Sequence, residues 1–166
     1  MPTLISQEYF QVELPQGVQI AIPLEQTAEV FSLSRRDICL IPGVAPSLLG
    51  ITNQRGKLIW MLELGDLLGL PMPAGRSPQQ RLTALVMSHR SQEQPVQLGC
   101  LVSSLRGIIP IEPDQIQPIP KQLKKKIRQF FVGMAQAERT PLLILKVETV
   151  FSLLQRYTPP NSLAIL

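Results

Sequence analysis

The sequence predicts a mainly β fold: two similar small β-barrels packed side by side, with short helices. Three observations carry that reading. Apolar and polar residues alternate over short runs, the period of a half-buried strand. Sixteen prolines and ten glycines in 166 residues interrupt the chain too often for long helices. The chain also repeats itself. At an offset of 83, Gly50 matches Gly133, residues 58–62 match 141–145, and Leu64, Leu67 and Leu68 match Val147, Val150 and Phe151. At an offset of 78, Gln19-Ile20-Ala21-Ile22 matches Gln97-Leu98-Gly99-Cys100. Two copies of a short-strand unit predict two like barrels and are too few for a solenoid.

Taken in order, Phe10, Val12 and Leu14 alternate with Gln11 and Glu13, and Val18, Ile20 and Ile22 alternate again. Pro15-Gln16-Gly17 between them has turn chemistry, so the pair reads as a β-hairpin. Residues 26–33 read as a strand with a bulge or as a short helix. Residues 46–49 read as one helical turn ended by Gly50. Strands at 51–54 and 58–62 flank Arg55-Gly56-Lys57. The second of these is continuously apolar, which predicts burial on both faces, Trp60 included. Leu64, Leu67 and Leu68 have helical spacing, stopped by Gly69 and Pro71.

Residues 71–80, rich in Pro, Gly, Ser and Gln, read as a linker. Strands resume at 82–87 and 96–102. A polar loop at 89–94 separates them and places the single histidine, His89, at the surface. Residues 108–120 hold five isoleucines and four prolines, a composition suited to an irregular edge strand. Residues 121–131 read as an amphipathic helix, with Leu123, Ile127, Phe130 and Phe131 on one face. Strands at 132–136 and 142–147 follow. Val147, Val150, Phe151 and Leu154 then step as a final helix. Residues 156–166 read as a loose C-terminal tail.

Composition narrows the function. Net charge is +4, but Lys121, Lys124, Lys125, Lys126 and Arg128 supply five positive charges, leaving −1 for the rest of the chain. One local patch argues against a nucleic-acid binder, whose charge lines a whole groove or face. Its ordinary reading is a solvated helix face, with an acidic protein next in order and a membrane surface last. Cys39 and Cys100 are too few for a structural zinc site and are expected as buried thiols of a reducing cytoplasm. Residues 1–7 do not read as a signal peptide, and Glu63 and Asp66 interrupt the longest apolar run. No second base accompanies His89, Cys39 or Cys100, and carboxylates are sparse, so no enzyme, cofactor or metal site is expected. The stretch 50–57 only superficially suggests a phosphate loop: five residues separate its glycines, and Leu58 follows Lys57 where a Ser or Thr is required.

The stretch 49–64, Leu-Gly-Ile-Thr-Asn-Gln-Arg-Gly-Lys-Leu-Ile-Trp-Met-Leu-Glu-Leu, resembles the central motif of the CheW chemotaxis coupling family, roughly G-(I/V)-x-N-x-R-G-x-(I/V)-x-P-(I/V)-(I/V)-D-L. Residues 9–22 resemble the family's opening hairpin, Ala28-Glu29-Val30 its V-x-E-I element, and 98–102 with 108–120 its second-half strands. Phe131-Val132-Gly133 and 142–154 resemble its closing Y-x-x-G and strand-helix. The departures are Trp60 for the usual proline, Glu63 for aspartate, Gln54 for leucine, and Ser103 where an aspartate is common.

The resemblance implies a CheW-like domain over residues 8–155 made of two SH3-like five-stranded β-barrels. The first is expected over about 17–72 and the second over about 80–155, with the strand at 8–14 assignable to either. It implies a non-catalytic cytoplasmic adaptor that couples a CheA-type histidine kinase regulatory domain to the cytoplasmic tip of a methyl-accepting chemoreceptor. The receptor would sit in a groove between the barrels, with no nucleic acid bound and no membrane insertion. By the same resemblance Arg55, Glu29, Asn53 and Gly56 are the partner-binding residues. Arg55 is favoured independently because arginine offers a rigid fork of donors and is enriched at interface hot spots. Arg55 and Glu29 are expected to form a partly exposed ion pair. The alternatives are an SH3-like module for RNA or proline-rich peptides, which requires exposed aromatics, and an enzyme, which requires convergent titratable groups in a pocket.

Overall fold

The computed structural model describes residues 5–70, 79–90 and 95–157. The linker reading over 71–78 and the tail from 158 onward lie outside them. Among the described residues the strands are β1 (Gln7–Glu13), β2 (Gln19–Pro23), β3 (Thr27–Ser34), β4 (Cys39–Leu40), β5 (Leu48–Gln54), β6 (Lys57–Glu63), β7 (Arg81–Arg90), β8 (Pro95–Val102), β9 (Ser104–Ile111), β10 (Phe131–Ala137) and β11 (Thr140–Leu145). The α-helices are α1 (Leu64–Leu67), α2 (Lys125–Arg128) and α3 (Val147–Tyr157).

The strands form two sheets, one ordered β10-β11-β2-β1-β9 and the other β3-β7-β8-β6-β5-β4. Apart from the two-residue β4, the orders are the same once β10 is matched to β5, β11 to β6, β2 to β8, β1 to β7 and β9 to β3. The registers agree with this match. β11 runs parallel to β2 with Leu143 opposite Ile20, and β6 runs parallel to β8 with Trp60 opposite Leu98. Leu143 and Trp60 differ by the offset of 83, and Leu98 and Ile20 by the offset of 78.

The internal repeat is therefore a structural repeat, but its halves are interlocked. Sequence expects a first barrel over 17–72 and a second over 80–155; the sheets draw strands from both ranges. β1 and β2 pair with β9 and β11 of the second half, while β7 and β8 pair with β3 and β6 of the first. The reason is burial. A lone two-stranded hairpin leaves one apolar face wet. Set in the middle of a five-stranded sheet, β1–β2 turns Tyr9 and Ala21 into one core and Val12, Ile20 and Ile22 into another.

Each sheet curls around its own small core, Ile59, Met61, Ala84 and Val86 in one and Tyr9, Ala21, Ala135 and Ile144 in the other. The largest cluster joins both sheets with α1 and α3. It holds Val12, Ile20, Trp60, Leu62, Leu98, Cys100, Phe130 and Phe151.

Several local expectations resolve. The ambiguous stretch at 26–33 is strand β3, with a bulge between Thr27 and Glu29. Residues 46–49 are not a helical turn, because β5 begins at Leu48. The helix expected over 121–131 shortens to the single turn α2. Pro118 and Pro120 precede it, and Phe131 already pairs with Leu145 in the sheet. His89 is not in a loop: β7 extends to Arg90, and the imidazole stacks on Phe151 of α3 with ring centroids 5.4 Å apart. Of the two cysteines only Cys100 is buried, where desolvation pushes its thiol well above the usual value. Cys39 is exposed on the edge strand β4.

Candidate functional site

The β5–β6 hairpin is built from its turn outward. Two residues, Arg55 and Gly56, connect the strands, with φ of 54° and 83°. Positive φ at both loop positions is the mark of a type I′ turn, whose twist matches that of the strands it joins. Glycine takes this conformation without cost; arginine does not, so a side chain is held where a second glycine is the easier choice. The Asn53 side-chain oxygen accepts a hydrogen bond from the Gly56 N–H at 2.8 Å and locks the turn. Further in, the buried Thr52 hydroxyl donates to the Asp37 carbonyl at 2.9 Å, tying β5 to the 3₁₀ turn at Arg35–Asp37.

The result is a hydrogen-bonded tip carrying an exposed charge. Asn53, Arg55, Gly56 and Lys57 are exposed, and among the described residues no ion pair or hydrogen bond engages the Arg55 guanidinium. Leu58, expected to be buried, is 41% exposed and lies opposite Asn53 in the ladder. Arginine is among the residues enriched at interface hot spots, and Leu58 adds exposed apolar area to the same hairpin. The sequence reading missed Leu58 because an unbroken apolar run does not show that its first residue belongs to the solvent-facing end of a hairpin.

Glu29 is not part of this tip. It lies half-buried at the bulge of β3, the far edge strand of the same sheet, with β7 and β8 between β3 and β6. The expected Arg55–Glu29 ion pair is absent among the described residues. The sheet order is the reason, since nearness in the first half of the sequence does not make the two strands neighbours. The ion pairs that do form are elsewhere. Arg35 meets Glu63 at 3.3 Å, where Glu63 is only 8% exposed at the end of β6. Arg106 Nε donates to Glu13 at 2.8 Å, stitching β9 to β1. The Arg35–Glu63 contact holds the turn after β3 against the β6–α1 junction. It is partly buried and short of a fully desolvated pair. Its only sequence signal was an acidic residue closing an apolar run.

No group of three or more His, Cys, Asp or Glu is placed to hold a metal among the described residues, and none of their helices is long and apolar enough to cross a membrane.

With this geometry in hand, comparison with known proteins gives three results. The family model described as "CheW-like domain" matches residues 8–155. A "Probable chemotaxis protein CheW" from Rhizobium etli is 28% identical over 105 residues, an alignment that spans 63% of this chain and 63% of that protein. The crystal structure of the scaffolding protein TtCheW from Thermoanaerobacter tengcongensis superposes with a TM-score of 0.66 at 22% identity, covering 86% of this chain and 90% of that one. The structural match supports the pair of SH3-like half-barrels. The family match runs through both interlocked sheets, from β1 to α3. The chain belongs to the CheW-like domain family.

Proposed function

We propose that this chain is a non-catalytic adaptor of the cytoplasm that couples a CheA-type histidine kinase to the tips of methyl-accepting chemoreceptors. Membership of a family of scaffolding proteins supports the class of role. The observation that carries the site is the locked Arg55-Gly56 turn, a fixed backbone presenting an unpaired guanidinium on a hairpin that also exposes Leu58 opposite Asn53. Because the tip is already ordered, little backbone entropy is lost when a partner carboxylate or carbonyl engages it. Asn53 and Gly56 act by holding the turn. Glu29, on a free sheet edge, serves as a separate contact.

The test is titration of the purified chain with the regulatory domain of a CheA-type kinase and with a receptor cytoplasmic fragment, by calorimetry. Arg55→Ala is expected to weaken one of these complexes by about 2 kcal/mol or more. Its melting temperature should stay near that of the parent, since an exposed turn arginine contributes little to folding. A chain that binds neither partner loses this reading. A variant that melts early but binds normally makes Arg55 structural.

A further inference from the structure

The β10–β11 side of the molecule carries a surface that the Arg55 tip does not use. A groove of about 430 Å³ lies over β2, β10 and β11, lined chiefly by Val18, Pro120, Leu123, Met134, Pro141 and Leu143. Its position follows from the repeat. Leu143 is the counterpart of Trp60, Met134 of Ile51, and Val18 of Val96. In the other sheet the residue at the equivalent register position, Trp60, is 3% exposed and packed into the large core cluster. In this sheet the smaller leucine is half-buried and leaves the hollow.

One wall of the groove is the segment holding Pro120, Gln122 and Leu123, which also carries Lys121 and Lys124. Next to it is a second concavity, lined by Ile119, Lys125, Lys126, Arg128 and Gln129. The five cations are exposed, and among the described residues none is in an ion pair. The β10–β11 turn beyond Pro141 adds one charge of each sign, Glu138 and Arg139. An apolar floor flanked by the Lys121–Arg128 segment, five cations against the single carboxylate of Glu138, is complementary to one kind of occupant. Uncharged apolar peptides leave the rim unsatisfied, and purely acidic ones leave the floor wet.

We propose that this groove docks an acidic amphipathic segment of a partner protein, its apolar side chains on the Met134–Leu143 floor and its carboxylates against the Lys121–Arg128 rim.

The probe is a fluorescein-labelled amphipathic helical peptide of leucine and glutamate, followed by anisotropy against the full chain. Controls replace its glutamates by lysine or its leucines by serine. The glutamate peptide should bind, bind less as salt rises, and bind at least about tenfold more tightly than either control. Two changes should each weaken it about tenfold. One is Leu143→Trp, which fills the groove with the residue the other sheet carries. The other is the pair Lys124→Glu and Lys125→Glu. Circular dichroism confirms folding, and Leu123→Glu replaces Leu143→Trp if that variant does not fold. The proposal is overturned by a glutamate peptide that does not bind, by a control that binds as well, or by binding that survives the groove variants. It is overturned equally by a concentration-dependent oligomer lost in those variants, which gives the groove to a second copy. Co-sedimentation with phosphatidylglycerol vesicles that is lost on charge reversal overturns it too, giving the rim to a membrane.

Discussion

The hairpins β5–β6 and β10–β11 share one backbone and have diverged in what they carry. Both open with a bulge at a glycine, between Leu48 and Gly50 in one and between Phe131 and Gly133 in the other. Both cross over in two residues of positive φ, Arg55 and Gly56 against Glu138 and Arg139. Both lead into a helix. The first buries a tryptophan and presents an arginine; the second has a leucine over a groove and presents a glutamate. The backbone plan thus fixes where a strand bends and turns, and it leaves the faces and tips free to differ. That freedom is how one repeat yields two distinct surfaces.

The comparison is tested most strongly at the paired positions on the last strands. Trp60→Ala should cost about 3–5 kcal/mol in chemical denaturation, through lost burial and the cavity left behind. Leu143→Ala, at a half-buried site with room around it, should cost about 1–2 kcal/mol. Equal losses would show that Trp60 adds nothing to the joint between the sheets.

The bulge glycines come next. A methyl on Gly50 would lie 1.8 Å from the Cys39 carbonyl oxygen, a backbone atom of β4. On Gly133 it would lie 2.6 Å from an Ile116 side-chain carbon and 2.8 Å from the Gln117 carbonyl oxygen. Gly50→Ala should therefore cost about 3 kcal/mol, and Gly133→Ala about 1–2 kcal/mol. The reverse order in melting experiments would mean that β4 gives way more easily than the Gln117–Met134 bridge.

At the tips the expected difference lies in binding. Arg55→Ala should lose about 2 kcal/mol of kinase or receptor affinity, while Glu138→Ala loses none. Parallel losses at both tips would make the turns interchangeable.

The smallest effect is a gain. Glu138 and Arg139 both hold positive φ without a glycine, so Arg139→Gly should stabilise the fold by about 1 kcal/mol. Gly56→Ala should do the opposite.

Much of this was legible in the residues because it depends on near neighbours. Alternation marked β1 and β2, and an unbroken apolar run marked β6 and its buried Trp60. The Arg-Gly pair between two strands marked a turn. Two repeat offsets anticipated that the β5–β6–α1 path recurs in β10–β11–α3. What was misread depended on distant partners. Cys39 looked like a core thiol until β4 proved to be a two-residue edge strand. His89 looked like a loop residue until α3 supplied Phe151 for it to stack on. Residues 121–131 had helical spacing, but Phe131 gains more in the sheet than in a helix.

By itself the sequence determined the principal strands β1, β2, β6, β8 and β11 and the Arg55-Gly56 turn, since apolar period and turn chemistry are settled within a few residues. Tertiary structure decided which strands share a sheet. Each half contributes its opening hairpin to the sheet of the other half, because only there are both faces of that hairpin covered. That exchange put two strands between Glu29 and the Arg55 hairpin. It also left Leu143, rather than a tryptophan, over the groove beside the lysines.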